Sequence, residues 1–170
     1  SFTAFFVEAL TDYIVFQVNP EGYINEANAL WLMKQIDHDG KVDTAQELDL
    51  LINILEQAKS APDGLCAYAL RQVKDAVLHG EGVTRSGKQL KPGVVVEADV
   101  ELLRRILYAY AGGGNIGITA AEAEVLFEID EATPGSNNHP SWTDLFSKAI
   151  ASHIMMFSGH TPVSREIALR

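Results

Sequence analysis

Cysteine is nearly missing from this chain. Cys66 stands alone among 170 residues, which excludes an intramolecular disulfide. It lies in the apolar run Leu65-Cys66-Ala67-Tyr68-Ala69 with no histidine near it, and reads as a small core residue. Basic residues are also scarce. Lys and Arg number 13 against 23 Asp and Glu, and the net charge of −10 argues against a nucleic-acid groove or an anionic-membrane surface. No apolar run approaches the roughly 20 residues of a membrane span. The opening Ser1–Phe6 lacks a basic stretch and is followed by Glu8 and Asp12, so no signal peptide is read and the expected compartment is the cytoplasm. There is no H-x-x-x-H, C-x-x-C or phosphate-loop pattern, so zinc and nucleotide sites have no motif. Ser136, Ser141 and Ser158 have no nucleophile-elbow context.

What the chain does have is helical periodicity and an internal repetition. With 47% hydrophobic residues it can bury a sizeable core as one domain over 1–170. Gly22-Tyr23-Ile24-Asn25-Glu26-Ala27-Asn28 returns as Gly93-Val94-Val95-Val96-Glu97-Ala98-Asp99. An apolar helix follows each copy, then a glycine-bearing turn, then a second helix start. The halves are read as about 5–80 and 93–157, joined by a linker or hairpin over 81–95 that is locally basic. The expectation is an all-α, compact bundle of about seven helices built from a pseudo-two-fold repeat. Each helix is too short to stand alone in water, so the halves must pack together.

Spacing also predicts which residues face inward. The first helix should bury Phe2, Phe5, Phe6, Ala9, Leu10 and Tyr13. The second, about Asn25 to Ile36, should bury Ala27, Leu30, Trp31 and Met33. The third should be capped by Asp43 with Gln46 three residues on, and should bury Leu48, Leu51, Ile52 and Leu55. A fourth begins at Pro62 or Asp63 and ends at His79-Gly80. The second half should carry a helix over Glu97–Ala111, a capping box at Thr119-Ala120-Ala121-Glu122, and a last helix capped by Ser141. The stripe of that last helix should run from Trp142 through Leu145, Phe146, Ala149, Ile150 and His153 to Ile154.

The sharpest chemical candidate is Asp37-His38-Asp39-Gly40-Lys41-Val42-Asp43. With Gly40 as the sixth residue of an EF-hand-like loop, Asp37, Asp39 and Asp43 fall at the third, fifth and ninth positions. Gln35 and Gln46 then occupy the first and twelfth, and Glu47 comes one residue late, which weakens calcium binding. The plainer reading is a helix–turn–helix with acidic caps favoured by the helix dipole. A second arrangement uses carboxylates at helix starts: Glu26 and Glu97 at matching places in the repeat, with Asp43, Glu47 and Glu122. Converging near an axis, they would need a cation, calcium or magnesium, or raised pKa values. If they shared a pocket they could serve as acid and base.

The doubled helical plan, the acidic surface and the Asp39-Gly40-Lys41-Val42-Asp43…Glu47 turn together resemble the bacterial tellurite-resistance TerB-like family. Ile118-Thr119-Ala120-Ala121-Glu122 looks like that family's second-half helix start, and the resemblance spans roughly Phe5 to Phe157. It implies a cytoplasmic, non-enzymatic domain linked to tellurite or general stress responses. Such a domain works as a metal-linked or protein-interaction module with a protein partner. The family's acidic positions carry over to Asp39, Asp43 and Glu47, and to Glu122. The alternative class is a degenerate EF-hand-like calcium binder.

Overall fold

The structure, a computed structural model, describes residues 8–17, 21–38, 41–42, 45–80, 91–109, 117–135 and 137–160. Among these residues the elements are a π-wound turn α1 (Asp12–Phe16) and six α-helices. The helices are α2 (Glu26–Ile36), α3 (Ala45–Gln57), α4 (Asp63–His79), α5 (Glu97–Leu107), α6 (Ala120–Ala132) and α7 (Pro140–His160). Two strands of two residues each, β1 (Asp37–His38) and β2 (Lys41–Val42), pair antiparallel between α2 and α3. The fold is all-α. No helix among the described residues is long and apolar enough to cross a membrane.

α4 is the centre. It packs against α3, α5 and α6, and buries ten side chains from Leu65 to Val77. Buried on nearly every side, it is a core helix rather than an amphipathic one. It stops where Gly80 takes φ +73° and donates its N–H to the Ala76 carbonyl at 2.8 Å, the left-handed C-terminal cap that glycine adopts without strain. α3 is likewise apolar around most of its girth, with Leu48, Leu50, Leu51, Ile52, Ile54 and Leu55 all buried. α7 lies across α5 and α6 and places Trp142, Leu145 and Ala149 in the core. One contiguous cluster of buried side chains runs from Ile14 to Ala149. Polar ties lock neighbours together. Asn53 donates to Thr11 at 2.9 Å, and Lys74 meets Glu128 at 2.5 Å between α4 and α6.

Helix order and length recur along the chain: 11, 13 and 17 residues in α2 to α4, then 11, 13 and 21 in α5 to α7. Gly22 and Gly93 have φ of +84° and +74°. Two residues later, Ile24 and Val95 are buried, Ile24 tied to the segment before α4 and Val95 to the segment before α7. The Ile24 N–H donates to the Ser60 carbonyl at 2.9 Å; the Val95 carbonyl accepts from the His139 N–H at 2.9 Å.

Several expectations are corrected. In α2 the buried face is Ala29, Leu32 and Ile36, whereas Leu30 is 61% and Trp31 40% exposed. Two apolar stripes compete on this helix. The stripe through Ala27, Leu30 and Trp31 leads on to Lys34, while the stripe through Ala29, Leu32 and Met33 continues to Ile36, so the second is the one that packing can use along its whole length. Tyr13 is 55% exposed, with Ile14 and Val15 buried in its place. Phe2, Phe5 and Phe6 lie outside the described residues. The described part of α3 begins at Ala45, and the expected cap Asp43 lies outside the described residues. α5 ends at Leu107, four residues early, in a turn at Tyr108 and Ala109. Ser141 is the second residue of α7, and Pro140 is the first. Proline suits that position because its fixed φ fits the helix and its missing N–H would find no intrahelical partner there. The cap is His139, whose Nδ1 accepts the Ser141 N–H at 3.2 Å and lies 2.6 Å from the Ser141 hydroxyl. Ile154 is exposed. The 81–90 part of the expected linker lies outside the described residues.

Candidate functional site

The acidic turn is only partly described. Asp37 pairs with Val42 and His38 with Lys41 in the β1–β2 ladder. Asp39 and Asp43 lie outside the described residues. Lys41 holds the seventh loop position, whose carbonyl binds calcium in an EF-hand, and here its backbone belongs to the ladder. Glu47 sits half-buried in the first turn of α3.

Glu26 and Glu97 are the first residues of α2 and α5, and both are exposed. Neither closes its own helix start. Asn25 does so for α2, its Oδ1 accepting the Asn28 N–H at 2.8 Å. For α5 the buried Asp99 accepts the Val96 N–H at 2.9 Å. Among the described residues no group of three or more His, Cys, Asp or Glu side chains is placed to hold a metal ion.

Glu122 is different. It is buried, and it forms the expected capping box: its Oε1 accepts the Thr119 N–H at 3.1 Å, and Thr119 Oγ1 accepts the Glu122 N–H at 3.2 Å. Burial pushes its carboxyl above the ordinary glutamate value, the hydrogen bonds from Thr119 pull it back, and the charge of Asp63 raises it further. These groups line a cavity of about 20 Å³ where the starts of α4 and α6 meet, with Ser60, Asp63, Cys66, Thr119 and Glu122 on its wall. That volume holds about one water and excludes an organic substrate. Neither Glu26 nor Glu97 reaches the cavity. No sequence motif marks Ser60 or Asp63 as part of such a site. The one signal for Asp63 is its place directly after the helix-starting Pro62.

A larger, open trough of about 460 Å³ runs between α3 and α5, lined by Glu56, Glu101, Arg104, Arg105 and Tyr108. Arg105 Nε donates to Glu56 Oε1 at 2.8 Å, which holds the guanidinium above its ordinary value. Two cations and two carboxylates leave this trough without net charge.

The third feature is apolar. Tyr13 and Phe16 on α1 and Leu30 and Trp31 on α2 are 55, 44, 61 and 40% exposed. The rings of Tyr13 and Trp31 lie 5.9 Å apart at 57°, so the two helices present one joined ridge. The π turn is closed twice over. The Gln17 N–H donates to the Asp12 carbonyl at 3.1 Å, and the Gln17 side chain donates to the Asp12 carboxylate at 2.9 Å. π-wound turns are rare and gather at functional sites.

In comparisons with family models, with curated proteins and with solved structures, nothing matches this chain.

Proposed function

We propose that this chain is a non-enzymatic helical interaction domain of the TerB-like kind, acting in the cytoplasm and built from a duplicated three-helix unit. The observation that carries this reading is the exposure of Tyr13, Phe16, Leu30 and Trp31, large side chains on α1 and α2 of which Tyr13 and Trp31 are joined by a ring contact. Contiguous exposed apolar surface rimmed by polar residues is the usual mark of a protein-binding surface. The link to tellurite or stress tolerance comes from the family resemblance alone.

Affinity capture from the source cell tests the interaction reading. Wild type and a Leu30→Ser/Trp31→Ser variant with the same far-UV circular dichroism are compared. A partner held by wild type and lost by the variant supports it; equal retention by both refutes it. A deletion strain no more sensitive to tellurite than its parent would remove the stress assignment.

A second reading, cation response, is favoured by the placement of the Asp37–Val42 ladder between α2 and α3, as a loop between two helices. Calorimetry with Ca²⁺, Mg²⁺ and Zn²⁺ on wild type and Asp39→Ala/Asp43→Ala separates the two. Heat lost in the variant supports cation response; silence for all three ions leaves the interaction domain.

A further inference from the structure

We infer that the ridge on α1 and α2 receives a basic, amphipathic α-helix of a partner protein. The inference rests on the interaction reading and names the chemistry of the partner. Two rows of side chains, Tyr13 and Phe16 from one element and Leu30 and Trp31 from the next, offer the apolar floor that an amphipathic helix covers with residues at i, i+3, i+4 and i+7. Taking the ~150–250 Å² that a large side chain can bury, the exposed parts of these four sum to about 400 Å², the size of a functional patch.

Charge selects the occupant. The segment 8–36 carries Glu8, Asp12, Glu21 and Glu26, all exposed, against Lys34 as the one cation among its described residues. Asp12 directly precedes Tyr13, Glu8 lies one turn earlier, and Glu26 lies one helical turn before Leu30, with Lys34 one turn after it as the single opposing charge of the segment. A second copy of this chain would bring the same acidic rim against itself, and the whole chain at −10 repels its own kind. An anionic lipid surface or a nucleic acid meets the same repulsion. A helix with an aliphatic stripe flanked by Lys and Arg gains at both the floor and the rim, and the acidic field steers its approach.

The test uses the full chain and three labelled peptides of about 14 residues, read by fluorescence anisotropy: a Leu/Lys amphipathic helix, a Leu/Glu helix of the same apolar pattern, and a Leu/Lys peptide reordered to abolish the stripe. The Leu/Lys helix is expected to bind at least about tenfold tighter than either control, and to weaken several-fold as salt rises from about 50 to about 300 mM. Leu30→Ser/Trp31→Ser should weaken it about tenfold, while Met155→Ser, on another exposed apolar residue, should not. Equal binding of the Leu/Glu or reordered peptide overturns the inference. So does binding untouched by the ridge variant, or a concentration-dependent dimer that the ridge variant abolishes. If the Leu/Lys helix fails to bind while capture of a cellular partner still depends on Leu30, this inference falls and the interaction reading stands. If both fail, both fall.

Discussion

Glu122 gives the most exacting test of the described structure, because three substitutions at one helix start should behave differently. Thr119→Ala removes the oxygen that accepts the Glu122 N–H. The loss of an N-terminal cap costs about 1 kcal/mol, and in a domain of this length that lowers Tm by about 2–4 °C. Glu122→Ala removes the acceptor of the Thr119 N–H and leaves that half-buried donor without its bond, at a cost of about 1–3 kcal/mol. Glu122→Gln keeps the box, since a glutamine at this position accepts the same bond. Its effect should depend on pH. Burial holds the native carboxyl above its unfolded value, so the folded state binds the proton more readily. The contribution of this group is fully present below the unfolded pKa and is lost as pH rises through the raised native one. Glutamine does not titrate. The stability of Glu122→Gln relative to wild type should therefore rise with pH across that window. Urea unfolding of both proteins at steps from about pH 4 to about pH 8 measures it. A difference that stays flat, or that moves against the glutamine variant as pH rises, would refute the account of the cavity.

Other substitutions test the rest of the frame. Leu103→Ala empties a fully buried site and should cost about 2–5 kcal/mol in urea unfolding. Trp142→Phe loses the indole N–H bond to Asp130 at 3.2 Å while keeping an aromatic ring beside Phe146, and should cost about 1–3 kcal/mol by thermal melt. Gly22→Ala and Gly93→Ala both force a side chain into positive φ, at about 1–2 kcal/mol each. Gly22→Ala should be the worse of the two by differential scanning calorimetry, because its Cβ would meet Lys59 Cγ at 2.9 Å while at Gly93 the nearest atom is 3.9 Å away.

In α3 and α4 helical spacing finds core positions, though not Leu50, Ile54, Cys66, Ala67 or Leu70, which are buried because these helices are covered on several sides. Leu48, Leu51, Ile52 and Leu55, and Leu65, Ala69, Val73, Ala76 and Val77, are buried as their spacing requires. The Thr119–Glu122 box is legible because both halves of a reciprocal bond are local. The second helix misleads because it carries two apolar stripes, and burial goes to the one that tertiary packing can use. Hydrophobicity assigns Leu30 and Trp31 to the core, whereas both are exposed. Asp63 and Glu122 are 59 residues apart in sequence, and no local pattern announces that two helix starts will share one small cavity. The start of α7 is misplaced for a similar reason: a histidine imidazole serves as the cap, a role usually filled by Ser, Thr, Asn or Asp.

The central position of α4 bears on how the chain is made. Its main packing partner, α6, ends at Ala132, 53 residues after His79 closes α4. At the ~5–20 residues per second of synthesis, α4 is complete for about 3–10 s before α6 exists to cover it. Through that interval ten side chains destined for the core lack the surfaces of α5 and α6. A ribosome stalled after α4 would thus present this deeply buried helix uncovered, and nascent chains of this length are the ones that should recruit a holding chaperone.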